Sequence, residues 1–136
     1  MRNLLLTLGL ILSTTLAHSQ AKTFQLSSHI LDISKGTPAS GVPIRLEKMD
    51  SDKKTWSVID EKVTDANGRI SDFLSSEKAD NKGIYKLTFL TADYFKSQNT
   101  NSFYPFIEVV FEIKDSKHYH VPITLSAYGY STYRGN

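Results

Sequence analysis

The sequence predicts an all-β fold, a two-sheet β-sandwich of about eight strands with one short helix. Three observations predict it. Short stretches alternate apolar and polar residues, as strands with one buried face do. Clusters of turn-forming residues separate these stretches roughly every ten positions. The chain beyond its first residues is long enough for one hydrophobic core and too short for two.

The elements follow in order. Arg2 precedes the apolar run from Leu4 to Leu16 and the small-residue stretch Ala17-His18-Ser19, the pattern of a signal peptide over residues 1–19 cut near Ser19. The run is too short to span a bilayer, and no later stretch is long and uncharged enough to do so. The mature domain is therefore expected to be 20–136, exported and periplasmic. Phe24 to Ile33 reads as the first strand and stops at the loop composition Ser34-Lys35-Gly36-Thr37-Pro38. From Val42 to Lys48, Val42, Ile44 and Leu46 share one face while Arg45 and Glu47 take the other, which predicts a strand with one wet side. Trp56 to Val63 is a third strand, closed by the turn Thr64-Asp65-Ala66-Asn67-Gly68, whose Asn-Gly pair supplies positive φ angles. Arg69 emerges directly from that turn, and a short strand from Ile70 to Leu74 follows.

The polar segment from Ser75 to Lys82 has room for a turn of helix, and Ile84 to Leu90 returns to strand character. Ala92 to Gln98 reads as the short helix. Pro105 to Ile113 alternates again, with Ile107, Val109, Phe111 and Ile113 inward. Between His118 and Ser126 the residues Tyr119, Val121, Ile123 and Leu125 occupy one face of a strand; His118, His120, Pro122 and Thr124 occupy the other. Both histidines therefore point away from the core. The tail from Ala127 to Asn136 carries Tyr128, Tyr130 and Tyr133 and is expected to form an ordered last strand.

Composition narrows the chemistry. Cysteine is absent, so disulfides, thiol catalysis and thiolate metal sites are excluded. A net charge of +2 with interspersed signs gives nucleic acid no electrostatic footing. Serine-nucleophile elbows and phosphate-cradling glycine loops are missing as well. What remains is histidine with arginine. Of four histidines, His18 falls in the leader, leaving His29, His118 and His120 as acid–base candidates near neutral pH. Taken singly, a strand histidine is more often structural than catalytic. His118 and His120 also project the same way and would serve a metal if a third ligand such as His29 came from elsewhere in the fold. Asp32 and Asp65 read as turn and strand-end residues rather than as the acids of a catalytic pair.

Four stretches then carry a family likeness. Leu26-Ser27-Ser28-His29-Ile30-Leu31-Asp32 with Gly36-Thr37-Pro38-Ala39 and Gly41-Val42-Pro43, the turn Thr64-Asp65-Ala66-Asn67-Gly68-Arg69, the element Phe103-Tyr104-Pro105, and His118-Tyr119-His120-Val121-Pro122-Ile123 running into Leu125 through Gly135 resemble the transthyretin-like family across nearly the whole mature chain. The carboxyl end is the most specific part. It is similar to the Tyr-Arg-Gly-Ser ending of the hydroxyisourate hydrolase branch, which the hormone-carrying transthyretins do not keep; they also lack the catalytic histidines and arginine.

The resemblance implies a transthyretin-like sandwich that hydrolyses 5-hydroxyisourate to 2-oxo-4-hydroxy-4-carboxy-5-ureidoimidazoline in urate degradation, by His-assisted attack of water on a ring amide. It implies His29, Arg69 and His120 as catalytic residues, with Tyr133 and Asn136 joining His29 and Arg69 in binding substrate. His118 and Arg134 are expected to support them from behind, and Gly135 to let the chain approach closely. Asn136 stands where the branch usually has serine, leaving an amide and the terminal carboxylate for hydrogen bonding. The resemblance further implies a homotetramer with sites where subunits meet, and neither a metal nor an organic cofactor, because the ring is already activated. The competing expectation is an exported small-ligand binding protein of the same fold without catalysis.

Overall fold

The computed structural model describes residues 23–77 and 80–136. The expected leader and its cleavage point lie outside the described residues. Among those residues, no helix is long and apolar enough to cross a membrane.

The elements are β1 (Phe24–Asp32), β2 (Thr37–Pro38), β3 (Pro43–Met49), β4 (Trp56–Val63), β5 (Arg69–Ser75), β6 (Gly83–Phe89), α1 (Ala92–Lys96), β7 (Ile107–Ile113), β8 (Tyr119–His120), β9 (Ile123–Ser126) and β10 (Gly129–Thr132). They form the two sheets of a sandwich. One runs β10-β9-β1-β2, with β5 and β8 also paired to β1; the other runs β4-β3-β6-β7. Alternation along β1, β3, β6, β7 and β9 sends one set of side chains between the sheets. Leu26 and Ile30 of β1, Ile44 and Leu46 of β3, Leu87 of β6 and Ile123 of β9 are wholly removed from water. Each such side chain contributes about 1.5–3 kcal/mol of burial.

β1 is the spine of the six-stranded sheet. It pairs antiparallel with β5 and parallel with β8 and β9. Its Leu26, Ser28, Ile30 and Asp32 are buried, whereas Ser27, His29 and Leu31 stand on the outer side. Asp32 closes the strand as an acceptor: its carboxylate takes the Ser34 and Lys35 amides and the Tyr94 hydroxyl.

Several elements differ from the sequence expectation. The strand expected from His118 to Ser126 is divided into β8 and β9 because Pro122 has no N–H to give the ladder. The register against β1 is the same on both sides of the break, Ser27 facing His120 and Ile30 facing Ile123, so the alternation survives it. A two-residue strand, β2, folds back on the end of β1. The short helix stops at Lys96, two residues before the expected Gln98. In the described part of Ser75 to Lys82 there is no helix; Ser76 and Glu77 form a turn, and the Asn81 amide donates to Gln25 and to the Ser75 carbonyl. Phe111 is only half-buried, and its ring stacks on Tyr85 with centroids 6.1 Å apart.

Candidate active site

The loop before β5 sets the direction of Arg69. Asp65 accepts the amides of Asn67 (2.8 Å) and Arg69 (3.0 Å) on its side chain and that of Gly68 (2.9 Å) on its carbonyl. Gly68 has φ +68°, and a Cβ there would lie 2.7 Å from the Ile30 carbonyl oxygen and 2.9 Å from Pro38 Cβ. Glycine is thus required twice, for the left-handed backbone and for the approach to β1. With that turn closed, Arg69 becomes the Cα partner of His29 across the β1–β5 ladder. Arg69 is exposed and has no ion pair among the described residues.

The third group arrives from the other edge of β1. Parallel pairing puts His120 beside Ser27, two residues along the same outer face from His29. The Ser27 hydroxyl lies 2.8 Å from His120 Nδ1 and 2.8 Å from His118 Nε2; His118 Nδ1 lies 3.0 Å from the Phe24 carbonyl oxygen. The tail is then fastened to the same strand. Gly135 donates its amide to the His120 carbonyl at 2.9 Å, and the two residues form an isolated bridge. A Cβ at 135 would collide with His120 Cδ2 and crowd Cγ at 3.2 Å, so only glycine lets this segment lie against the imidazole.

Electrostatics ties these groups together. Burial is the largest cause pushing the His29 imidazole below its ordinary value, with the Arg69 charge second; a hydrogen bond from the ring to the Asn67 backbone carbonyl and the Asp65 carboxylate oppose it. His120 is lowered in the same way, first by burial, then by Arg69, His29 and His118, against a backbone hydrogen bond to Ser27. Both rings are therefore held as neutral bases beside a permanent cation.

Of the residues singled out from sequence, His29, Arg69, His118 and His120 share one outer sheet face, and Asn136 follows the Gly135 bridge to His120. Tyr133 and Arg134 turn elsewhere. They line a groove of about 280 Å³ with Val109 of β7 and Tyr119, with neither imidazole in its wall. The Arg134 guanidinium sits 4.4 Å above the Tyr119 ring, a cation–π contact rather than a salt bridge. Sequence reasoning missed Ser27. Its signal was present, since strand alternation already put it on the face of His29.

Comparison with known proteins bears on this arrangement. The model of the HIUase/Transthyretin family matches residues 26–135. A probable 5-hydroxyisourate hydrolase of Caenorhabditis elegans is 46% identical over 123 residues, covering 90% of this chain and 89% of its own. Among solved structures, the 5-hydroxyisourate hydrolase of Klebsiella pneumoniae is 36% identical with a TM-score of 0.69, covering 85% of this chain and 100% of that one. Sea bream transthyretin, solved in complex with thyroxine, is 31% identical with a TM-score of 0.75, covering 82% of this chain and 94% of that one.

Proposed function

The chain belongs to the HIUase/transthyretin family, and on that premise we propose that it hydrolyses 5-hydroxyisourate, adding water to a ring carbonyl and cleaving the amide to give the ureidoimidazoline acid. The observation that carries the reading is the convergence of His29, His120 and Arg69, which has no ion pair among the described residues, on one sheet face. Likeness in fold does not choose between hydrolase and carrier, since a transthyretin with thyroxine and a hydrolase superpose about equally well. The side chains choose. A carrier has no use for two neutral bases beside an uncompensated cation, whereas hydrolysis of an amide requires a proton acceptor for water and a positive group for the developing oxyanion.

In this reading His120, assisted by His29, orients and deprotonates the attacking water. Arg69 binds the flat, oxygen-rich heterocycle and stabilises charge on its carbonyl oxygen, a task suited to a planar, permanently charged fork. Asn136 contributes its side-chain amide as the tail passes His120. Tyr133 binds substrate from the assembled protein, which we propose is a homotetramer. Support comes from β7 and β10, which end their sheets with Val110 and Tyr130 exposed. The leader 1–19 would deliver the enzyme to the periplasm.

The test uses 5-hydroxyisourate made freshly by urate oxidase, followed by its ultraviolet decay. Faster decay with the protein than without it is expected. Decay at the spontaneous rate over a wide range of protein concentration would overturn the assignment.

A further inference from the structure

We propose that Ser27 is a positioning residue that holds His120 in the tautomer with its proton on Nδ1 and a free lone pair on Nε2. The kinetic consequence rests on the hydrolase reading; the tautomer itself does not.

A hydrogen-bonded chain runs from the Phe24 carbonyl through His118 and Ser27 to His120. The Phe24 carbonyl can only accept, and His118 Nδ1 lies 3.0 Å from it. Neutral His118 must therefore carry its proton on Nδ1, leaving Nε2 as an acceptor. Ser27 Oγ, 2.8 Å from that nitrogen, donates its single proton there. The hydroxyl is then left with lone pairs toward His120 Nδ1, also at 2.8 Å, and the bond forms only if Nδ1 is the donor. Hence Nε2 of His120 is bare. The opposite polarity would set the His118 Nδ1 lone pair against the Phe24 carbonyl lone pairs, losing one hydrogen bond and adding repulsion.

The backbone registers this chain. Ser27 is the Cα partner of His120, and its carbonyl accepts the Val121 amide at 3.0 Å. Opposite Ser27 the β1–β5 ladder shifts register, so that Ser71 and Asp72 of β5 oppose a single residue of β1. Such bulges recur where a strand re-aims a side chain.

The tautomer matters because a general base needs its lone pair where the water sits. The Nε2–H form would offer water a donor. As His120 takes a proton on Nε2, its Nδ1–H becomes part of an imidazolium, and the bond to Ser27 strengthens as charge develops. The contact is thus stronger in the transition state than before it, which is the condition for raising kcat.

The test combines kinetics with ¹⁵N NMR of the ring nitrogens in the full protein, at a pH where the rings are neutral. The parent is expected to show His120 as the Nδ1–H tautomer. Ser27→Ala should give a tautomer mixture and a fall in kcat of about tenfold with KM little changed. Ser27→Thr keeps a hydroxyl and should restore both. His118→Phe leaves the hydroxyl free to rotate and should also mix the tautomers, so the idea is testable even if one variant folds poorly. An Nε2–H tautomer in the parent, or a Ser27→Ala protein with parental tautomer and kcat, overturns the proposal. A parent that leaves 5-hydroxyisourate untouched overturns the function instead, because the tautomer is read without substrate.

Discussion

The outer faces of the two sheets handle charge in opposite ways. On the four-stranded sheet, Lys86 lies 3.2 Å from Glu47 and 3.5 Å from Glu108, with the Trp56 ring 4.6 Å from its ammonium; Arg45 bonds Glu61 at 2.8 Å. On the six-stranded sheet, Arg69 faces two imidazoles that burial and its own charge keep neutral. A face of matched charges is electrostatically complete and offers a ligand little. A cation among neutral bases is incomplete, and the missing partner is a group that becomes negative during reaction.

The sharpest way to break the contrast is to remove the cation from each face. Arg69→Ala should lower kcat/KM by about 10²- to 10³-fold, the usual cost of losing an oxyanion-stabilising donor. His29→Ala and His120→Ala should each cost at least about tenfold. Lys86→Ala should leave kcat/KM at the parental value. Equal losses on both faces would mean that the measured effect is stability, and the contrast would fail. Next in size is Gly135→Ala. The added methyl meets His120 Cδ2, so the ring must turn; kcat should fall about tenfold, with the melting temperature nearly unchanged because the tail lies at the surface.

These two faces were unequally legible in the sequence. Alternation in β1 and around His120 announced which side each imidazole takes, and Asp65 through Gly68 announced the turn that delivers Arg69. These are local signals with a period of two or a fixed turn chemistry. The family resemblance supplied what alternation lacks, namely that residues 29, 69 and 120 belong to one site. Strand order is a long-range property, and no local pattern says that β8 runs parallel to β1 beside Ser27. The Ser27 bridge was hidden for that reason. Tyr133 went the other way: the tail repeat suggested an ordered strand, of which only Gly129–Thr132 is found, as β10, and it did not suggest that this tyrosine, just past the strand, faces the β7 groove. The break at Pro122 was readable, since proline cannot donate to a ladder.

A smaller effect sharpens the paired face. Glu47 and Lys86 are mostly screened from water, with side chains 15% and 12% exposed. Glu47→Gln removes the charge without much change in volume and leaves Lys86 with Glu108, which is more exposed. A loss of about 1–2 kcal/mol in chemical denaturation is expected, between the values for exposed and fully buried pairs. Activity measured below the transition should not change. A variant as stable as the parent would show that Glu108 and Trp56 suffice for Lys86.

The smallest expected effect is a displacement of the pH profile, and it tests what Arg69 does before any substrate arrives. Both imidazoles lie below 6.5 in the folded protein, so the neutral, basic form persists to lower pH than for a free histidine. The acid limb of kcat/KM should accordingly fall below pH 6.5. The same shift works against stability in acid, because unfolded imidazoles take protons first as the pH drops from 6.5 through the folded-state values. Arg69→Lys keeps the charge and should leave the limb in place even as the rate falls. Arg69→Ala removes the second cause and should move the limb toward 6.5 without reaching it, since burial, the larger cause, remains. A limb that stays put in Arg69→Ala would assign the neutral imidazoles to burial alone. Arg69 would then act only on bound substrate, and the electrostatic link between it and the two bases would be dropped from the account of this face.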